Sequence, residues 1–136
     1  MERVLSPLGG GYPQPGNMLL IASMKLMATQ LSPDEKPAAT SDYRCVKATL
    51  ARAESCGLLA FRLLQALVVV ALYELGHAIY PAAYLTIGHC VRVGYALGLD
   101  RSIEDGSEGL FDSIEAEERR RSWWTIILLD RYGFYS

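Results

Sequence analysis

The 136-residue sequence predicts an all-α protein, an irregular bundle of about five helices. Apolar side chains recur every three or four residues, the spacing that places them on one face of a helix. Glycine and proline residues divide the chain into segments of helical length, and no strand-like alternation or hairpin turn competes. Hydrophobic residues make up 51% and charged residues 21% of the chain, a globular composition.

The N-terminal part of the sequence predicts a lead-in followed by one helix. Residues 1–16 are rich in glycine and proline, which favours irregular structure. We expect the first helix to begin at Asn17, whose amide side chain is a suitable N-cap. Pro33 and Pro37 then indicate a linker over residues 31–41. The predicted inward stripe of this helix is Met18, Leu19, Ile21, Ala22, Leu26 and Ala28.

The next two helices are separated by Gly57. The second is predicted over residues 42–55, with Asp42 as its N-cap. The third is predicted over residues 58–75, with Gly76 as its C-terminal stop. Because the third helix is apolar on nearly every side, we expect it to lie at the centre of the core. The predicted inward stripe of the second helix is Cys45, Val46, Thr49, Leu50 and Ala53.

A fourth helix is predicted from Pro81 to about Leu97, with Gly98 ending it. Gly88 and Gly94 each cost this helix about 1 kcal/mol relative to alanine. Two such residues predict that another helix approaches closely. The predicted inward positions are Tyr84, Ile87, Gly88, Val91, Gly94 and Tyr95. Residues 101–111 predict an acidic, glycine-containing loop.

The last helix is predicted to begin at Asp112 or Ser113. Three early glutamates lie near the positive end of its dipole. Arg119 and Arg121 follow Glu115 and Glu117 by four residues, the favourable order for ion pairs. Next comes an apolar run that covers the whole helix circumference, so we expect several neighbours to bury it. This helix and the third are expected to form the middle of the bundle. The run comprises Trp123, Trp124, Ile126, Ile127, Leu128 and Leu129.

Several classes of function are disfavoured by composition and spacing. The net charge of −2 lacks the basic surplus of a nucleic-acid binder. Cys45, Cys56 and Cys90 are odd in number and too far apart for a zinc site or a disulfide framework, which suits a reducing compartment. His77 and His89 have no acidic or thiol residue at a catalytic or metal-binding spacing. The longest apolar run is shorter than the ~20 residues that span a bilayer. We predict no catalytic, cofactor or metal site.

Three stretches carry a family resemblance: QAL at 65–67 with YELG at 73–76, GHCVRVGYALGLDR at 88–101 and EERRRSWWTIILLDR at 117–131. Together they resemble the fungal-specific transcription factor domain, the helical middle homology region downstream of zinc-cluster DNA-binding domains. The resemblance covers about residues 18–132. The residues that carry it, interpreted as structural, are Gln65, Gly88, Arg92, Leu97, Gly98, Leu99, Arg101, Glu117, Arg119, Arg120, Arg121, Trp123, Trp124, Asp130 and Arg131.

This resemblance implies a partial regulatory domain over residues 17–136, a piece of a larger helical domain of a nuclear protein. It implies regulation of DNA-templated transcription through protein partners, other helices of the same domain or a small-molecule effector. DNA contact and zinc would belong to a separate zinc-cluster domain of a parent protein. Asp100 stands where the family commonly has histidine, which cautions against transferring residue roles.

We expect structural roles rather than binding or catalytic ones for the arginine run, the tryptophans, Cys90 and the histidines. We expect the arginine run to form ion pairs and to stack on Trp123 or Trp124, rather than to bind phosphate or direct nuclear import. Both tryptophans are expected in the core, and Cys90 as a small core residue. Asp130 and Arg131 are expected to pair with each other or to hold a loop. The two histidines are expected at the surface or at helix ends.

The alternative interpretation is a stand-alone helical scaffold that binds proteins, or a non-functional truncated copy. If further helices normally cover Trp123, Ile127 and Tyr132, the chain alone would expose an apolar patch there. Such a patch predicts self-association.

Overall fold

The computed structural model describes residues 15–101 and 113–132 of the chain. Within these ranges the protein contains α-helices, one short 3₁₀ helix and no strand, so the predicted all-α fold is confirmed. None of the described helices is long and apolar enough to cross a membrane. The elements are α1 (Pro15–Ala28), the 3₁₀ helix (Pro37–Ala39), α2 (Ser41–Ser55), α3 (Phe61–Gly76), α4 (Ala82–Ala96) and α5 (Ser113–Tyr132).

Two predicted N-caps are wrong, although the helices start close to the expected positions. Helix α1 begins at Pro15, so Asn17 lies inside its first turn. The fixed φ of proline suits that first turn. Helix α2 is capped by Thr40, whose hydroxyl accepts a hydrogen bond from the Tyr43 backbone N–H at 3.2 Å. Asp42 is therefore a first-turn residue near the helix dipole rather than the cap.

The ends of the middle helices agree more closely with the sequence. Helix α3 ends at Gly76, one residue after the predicted end, and begins at Phe61, three residues later than expected. Gly76 is therefore the last helical residue rather than the stop, and His77 is the C-cap. Helix α4 ends at Ala96, and Gly98 adopts a φ of +75°, which favours glycine. The chain is helical again at residues 99–101. The predicted lead-in before Pro15 and most of the predicted acidic loop lie outside the described residues.

Helix α3 is the centre of the core, as its apolar character predicts. Helices α1 and α4 pack against it, and α5 packs on α4 and on the start of α3. The prediction that α5 shares the middle of the bundle is wrong, because these neighbours leave Trp124 and Leu128 exposed. Burial of the α3 side chains between these neighbours removes apolar surface from water, which is the main force that stabilises the bundle. The buried residues of α3 are Phe61, Leu63, Leu64, Ala66, Leu67, Val68, Val70, Ala71, Tyr73 and Glu74.

Helix α1 buries a narrower face than its sequence predicts. Leu19, Ser23 and Leu26 are buried, but Met18 and Ile21 are exposed. The described neighbours of α1 are α3 and α2, and they cover one side of it. An apolar helix covered on one side leaves the opposite apolar side chains in water.

Helix α2 also differs from its predicted stripe. Val46 and Leu50 are buried as predicted, and Tyr43 joins them. Cys45 and Thr49 are exposed. The reason is that the face of α2 that contains Tyr43 packs against Glu74, a polar residue inside the core. Helical periodicity does not reveal this partner.

Helix α4 is rotated by about one residue from the prediction. Ile87 is buried as expected, whereas Tyr84, Gly88 and Tyr95 are exposed. Small side chains occupy much of the inward face, because α3 and α5 come close to α4 there. The buried positions are Ala83, Thr86, Ile87, Cys90, Val93 and Gly94.

The close approach predicted from the two α4 glycines occurs at Gly94. A Cβ atom built there would lie 2.5 Å from Cζ3 of Trp123 in α5, closer than atoms can approach. The Trp123 ring is buried and meets Tyr95 edge-on, with ring centroids 5.2 Å apart. The same prediction is wrong for Gly88, whose Cβ would have no neighbour within 4 Å.

A buried carboxylate links three helices. Glu74 of α3 is fully buried, and its Oε2 atom lies 2.9 Å from Nζ of Lys47 and accepts a hydrogen bond from the Tyr43 hydroxyl at 2.5 Å. Lys47 also donates to Thr86 Oγ1 in α4 at 3.2 Å. The other oxygen, Oε1, has no partner among the described residues. Breaking such a buried pair leaves an uncompensated charge, so the cluster restricts how the helices pack.

The electrostatics around this cluster follow from burial. Burial of Tyr43, together with its hydrogen bond to the Glu74 carboxylate, raises the pKa of its hydroxyl well above the usual range. Burial, with a smaller effect of the Glu74 charge, raises the pKa of the Cys90 thiol to about 12. Cys90 is buried, which confirms the prediction of a small core residue.

Gly94→Ala should destabilise the protein by about 1–3 kcal/mol, because the new methyl group overlaps the Trp123 ring. Gly88→Ala is the matched control on the same helix. It should raise the free energy of unfolding by about 0.4–1 kcal/mol, because alanine restricts the unfolded chain and meets no atom in the fold. Urea denaturation at low protein concentration measures both. Equal effects of the two substitutions would contradict the assigned Gly94–Trp123 contact.

Lys47→Met should lower the free energy of unfolding by about 2 kcal/mol, because it leaves the Glu74 carboxylate buried without its cation. The exposure of the Lys47 side chain, 37%, keeps the expected loss below that of a fully buried pair. The double variant Lys47→Met, Glu74→Leu should recover most of the loss, since it removes both charges. Additive losses in urea denaturation would show that the two residues are not coupled.

Candidate functional site

The Leu97-Gly98-Leu99 motif forms the turn that ends α4. Leu97 is the C-cap residue and packs against the core, and Leu99 is buried. Gly98 lies between them and has the positive φ already described. A Cβ atom added at Gly98 would lie 3.3 Å from Nη2 of Arg101, so the guanidinium is close to the turn. Leu97 and Leu99 thus fix this turn against the core.

The arginine run in α5 is neutralised by glutamates on the same helix. Arg121 Nε lies 2.8 Å from Glu117, and Arg119 Nη2 lies 3.3 Å from Glu115. Arg120 contacts Glu117 as well. The predicted i,i+4 ion pairs are confirmed. Each of the three cations has a carboxylate partner, which weakens the interpretation of the run as a phosphate-binding patch.

The guanidinium stacking occurs on a different ring from the one predicted. Arg119 lies over the ring of Phe61, with its Cζ atom 5.0 Å from the centroid. Arg62 bridges α3 to α5 through Glu118, with 3.6 Å between Nη1 and Oε1, and it donates a hydrogen bond to Gln65. The prediction of stacking on a tryptophan was wrong because the first turn of α3 lies beside the arginines.

The two tryptophans have different environments. Trp123 and Ile126 are buried, as predicted, whereas Trp124 and Leu128 are exposed and Ile127 is partly buried. The prediction that this run is buried all round was wrong, because α4 and the start of α3 cover one side of α5. An exposed patch centred on Trp123 is therefore ruled out within the described residues. The side chain of Tyr132 lies outside them.

Three remaining motif residues meet at one groove between α4 and the end of α5. Gly88, Arg92 and Asp130 line this groove, which has a volume of about 360 Å³, together with Tyr84, Leu85 and His89. Within residues 15–101 and 113–132, neither Arg92 nor Asp130 forms an ion pair. Arg131 is exposed, and the expected pairing of Asp130 with Arg131 is not found in this part of the chain.

His89 links α4 to α2 rather than standing alone at the surface. Its Nε2 atom contacts the Glu54 carboxylate. Both residues line a second cavity of about 200 Å³, whose other polar residues are Lys47 and Thr86 and whose floor is apolar. The sequence could not reveal this contact, because the residues are 35 positions apart. His77, by contrast, caps the end of α3 as expected.

The polar core cluster was missed at the sequence level. Its one signal was Glu74, a single acidic residue within the otherwise apolar third helix. Nothing in the spacing identifies Lys47 or Tyr43 as its partners, since they belong to another helix. The described residues contain no group of three or more metal-binding side chains. Cys45 and Cys56 are exposed free thiols, and Cys90 is a buried one.

Comparisons with known proteins agree with the motifs. The model of the family described as "Fungal specific transcription factor domain" matches residues 11–133. Transcription factor BOA15 of Botryotinia fuckeliana (strain B05.10) is 46% identical over 106 residues, which are 76% of this chain and 58% of that protein. The chain thus spans less than two thirds of this relative. No solved structure matches the chain.

The matched region contains α1 to α5 and every motif residue placed above, from Gln65 in α3 to Arg131 in α5. Leu97 and Leu99 at the end of α4 and Trp123 in α5 belong to the packed core, so the sequence resemblance and the fold share these side chains. This chain belongs to the fungal specific transcription factor domain family.

Proposed function

We propose that this chain is the regulatory helical region of a zinc-cluster transcription factor, acting in the nucleus through a protein partner or an effector and not through its own contact with DNA. Family membership over residues 11–133 carries the proposal. It also favours a regulatory role over catalysis, and over the alternative of a stand-alone scaffold. Zinc would be held by a separate DNA-binding domain of the whole protein.

Charge placement supports the part of the proposal that concerns DNA. A DNA-binding helix presents unpaired arginine and lysine side chains to phosphates. In α5 the three consecutive arginines instead pair with Glu115 and Glu117. The chain as a whole is slightly acidic, with a net charge of −2. Both features oppose approach to a polyanion.

The packing of α4 supports a route for regulation. This helix contacts α2 through His89 and Glu54, the core cluster through Thr86, and α5 through Gly94. A ligand or partner that binds one arrangement of α4 better than another shifts the balance between them. Because Trp123 packs on Gly94, a movement of α4 relative to α5 changes the surroundings of its ring.

The isolated chain should bind duplex DNA with a dissociation constant above about 100 µM even at low salt, because the three consecutive arginines of α5 are paired with glutamates. Fluorescence anisotropy with a labelled duplex measures this. The triple variant Glu115→Gln, Glu117→Gln, Glu118→Gln removes the partners of the arginines. It should show weak DNA binding that decreases as the salt concentration rises. Submicromolar binding by the unaltered chain would contradict the proposal.

The chain should restrain transcription when it is placed between a heterologous DNA-binding domain and an activation domain in a fungal host. We expect reporter output below that of the fusion without the chain. Gly94→Leu, which forces α5 away from α4, should relieve the restraint at equal protein level. Equal output from all three fusions would count against a regulatory role.

A small polar effector should bind in the cavity between α2 and α4, where the polar side chains of Lys47, Glu54 and His89 surround an apolar floor. We expect one or more compounds in a panel of small carboxylic acids and amines to change Trp123 fluorescence and raise the melting temperature. The measurement uses a Trp124→Phe background. Ala51→Met, which fills the cavity from an exposed position, is the control that should abolish the response. A panel without effect on either signal would contradict effector binding at this cavity.

A further inference from the structure

Gly88 has no structural reason to be glycine within the described chain. It lies in the interior of α4, is exposed, and an added Cβ would meet nothing within 4 Å. Its φ is not positive, unlike those of Gly57 and Gly98. A glycine at such a position costs helix stability, about 1 kcal/mol relative to alanine. An unfilled notch of this kind allows another backbone to approach closely.

Large side chains flank the notch on the same exposed face of α4. Tyr84 and Leu85 lie one turn before Gly88 and are 63% and 64% exposed. Tyr95 lies two turns after Gly88 and is 53% exposed. Apolar and aromatic residues around a small central residue are typical of a buried interface centre.

The groove is too open for a small molecule. A small ligand in a binding site has about 70–90% of its surface covered. Here two of the lining side chains, Tyr84 and Leu85, are themselves mostly in solvent. An extended surface, such as another helix, covers them better.

The charges at the groove indicate which surface that is. Arg92 of α4 and Asp130 of α5 carry opposite charges, line the same groove, and form no ion pair in the described parts of the chain. Two copies related by a twofold axis present the same patch to each other, so that each cation can meet the anion of the other copy. A patch that contains both Arg92 and Asp130 is therefore complementary in charge to a second copy of itself.

We propose that two copies of this chain associate through this surface, with their α4 helices crossing at Gly88 and with Arg92 of each copy facing Asp130 of the other. The notch lets the two helix backbones approach, since the distance between packed helices depends on the side chains at the crossing point. Tyr84, Leu85 and Tyr95 supply the apolar centre of the interface. The groove shares Leu85 and His89 with the effector cavity between α2 and α4, whereas Gly88, Arg92 and Asp130 line the groove alone.

Sedimentation velocity over a series of concentrations of the chain tests the proposal. We expect a concentration-dependent monomer–dimer equilibrium. Gly88→Leu should raise the dimer dissociation constant at least about tenfold, because it fills the notch at the crossing. Ala116→Leu adds the same side chain at an exposed position of α5, far along the helix from Asp130, and should leave the constant unchanged. Unchanged dimerisation of the Gly88 variant, or a monomer at every concentration, would overturn the proposal.

Charge exchange tests the pairing itself. Arg92→Asp and Asp130→Arg should each weaken the dimer, because like charges then face each other across the twofold axis. Mixing the two single variants should restore a heterodimer, in which both facing pairs are again opposite in charge. The double variant should restore the homodimer. Both positions are exposed, so we expect each variant to fold and to keep a cooperative thermal melt. Failure of the mixture and of the double variant to associate would overturn the assigned pairing.

Discussion

The buried carboxylate of Glu74 is the constraint on which the arrangement of the helices depends. It lies in the centre of α3, where apolar neighbours provide no compensation for its charge. Lys47 and Tyr43 of α2 provide that compensation, and Lys47 in turn contacts Thr86 of α4. A slipped register of α2 would leave the charge unpaired, so the cluster disfavours such alternatives. Apolar packing alone is far more tolerant of shifts between helices.

Helix α4 transmits this constraint to the rest of the bundle. Its inward face is built largely from small side chains, among them Cys90 and Gly94, so α3 and α5 can both approach it. The Trp123 ring fills the space above Gly94. Its outward face carries the groove at Gly88. One helix therefore joins the core, the tryptophan contact and both cavities, so a binding event at either cavity acts on the helix that packs against α5.

The motif that identifies the family contains residues with two different roles. Leu97, Gly98 and Leu99 close α4, and the α5 glutamates and arginines neutralise each other on one helix surface. These residues explain why the motif accompanies the fold. Gly88, Arg92 and Asp130 contribute nothing comparable to the packing, and they meet at the groove. A sequence motif alone does not separate these two sets, because each lies on the same helices at similar spacings.

The sequence by itself determined the local structure: the all-α class, the approximate helix ranges, the central position of α3, the i,i+4 ion pairs of α5 and the family. The helices and ion pairs follow from periodicity and spacing, which involve neighbouring residues only. The position of α3 follows from its lack of a polar face, and the family from its motifs. The tertiary structure alone decided which faces are buried, that Gly94 rather than Gly88 receives Trp123, and that His89 meets Glu54. Such contacts join residues far apart in the chain, and their geometry depends on how whole helices pack, a property that spacing along one helix does not encode.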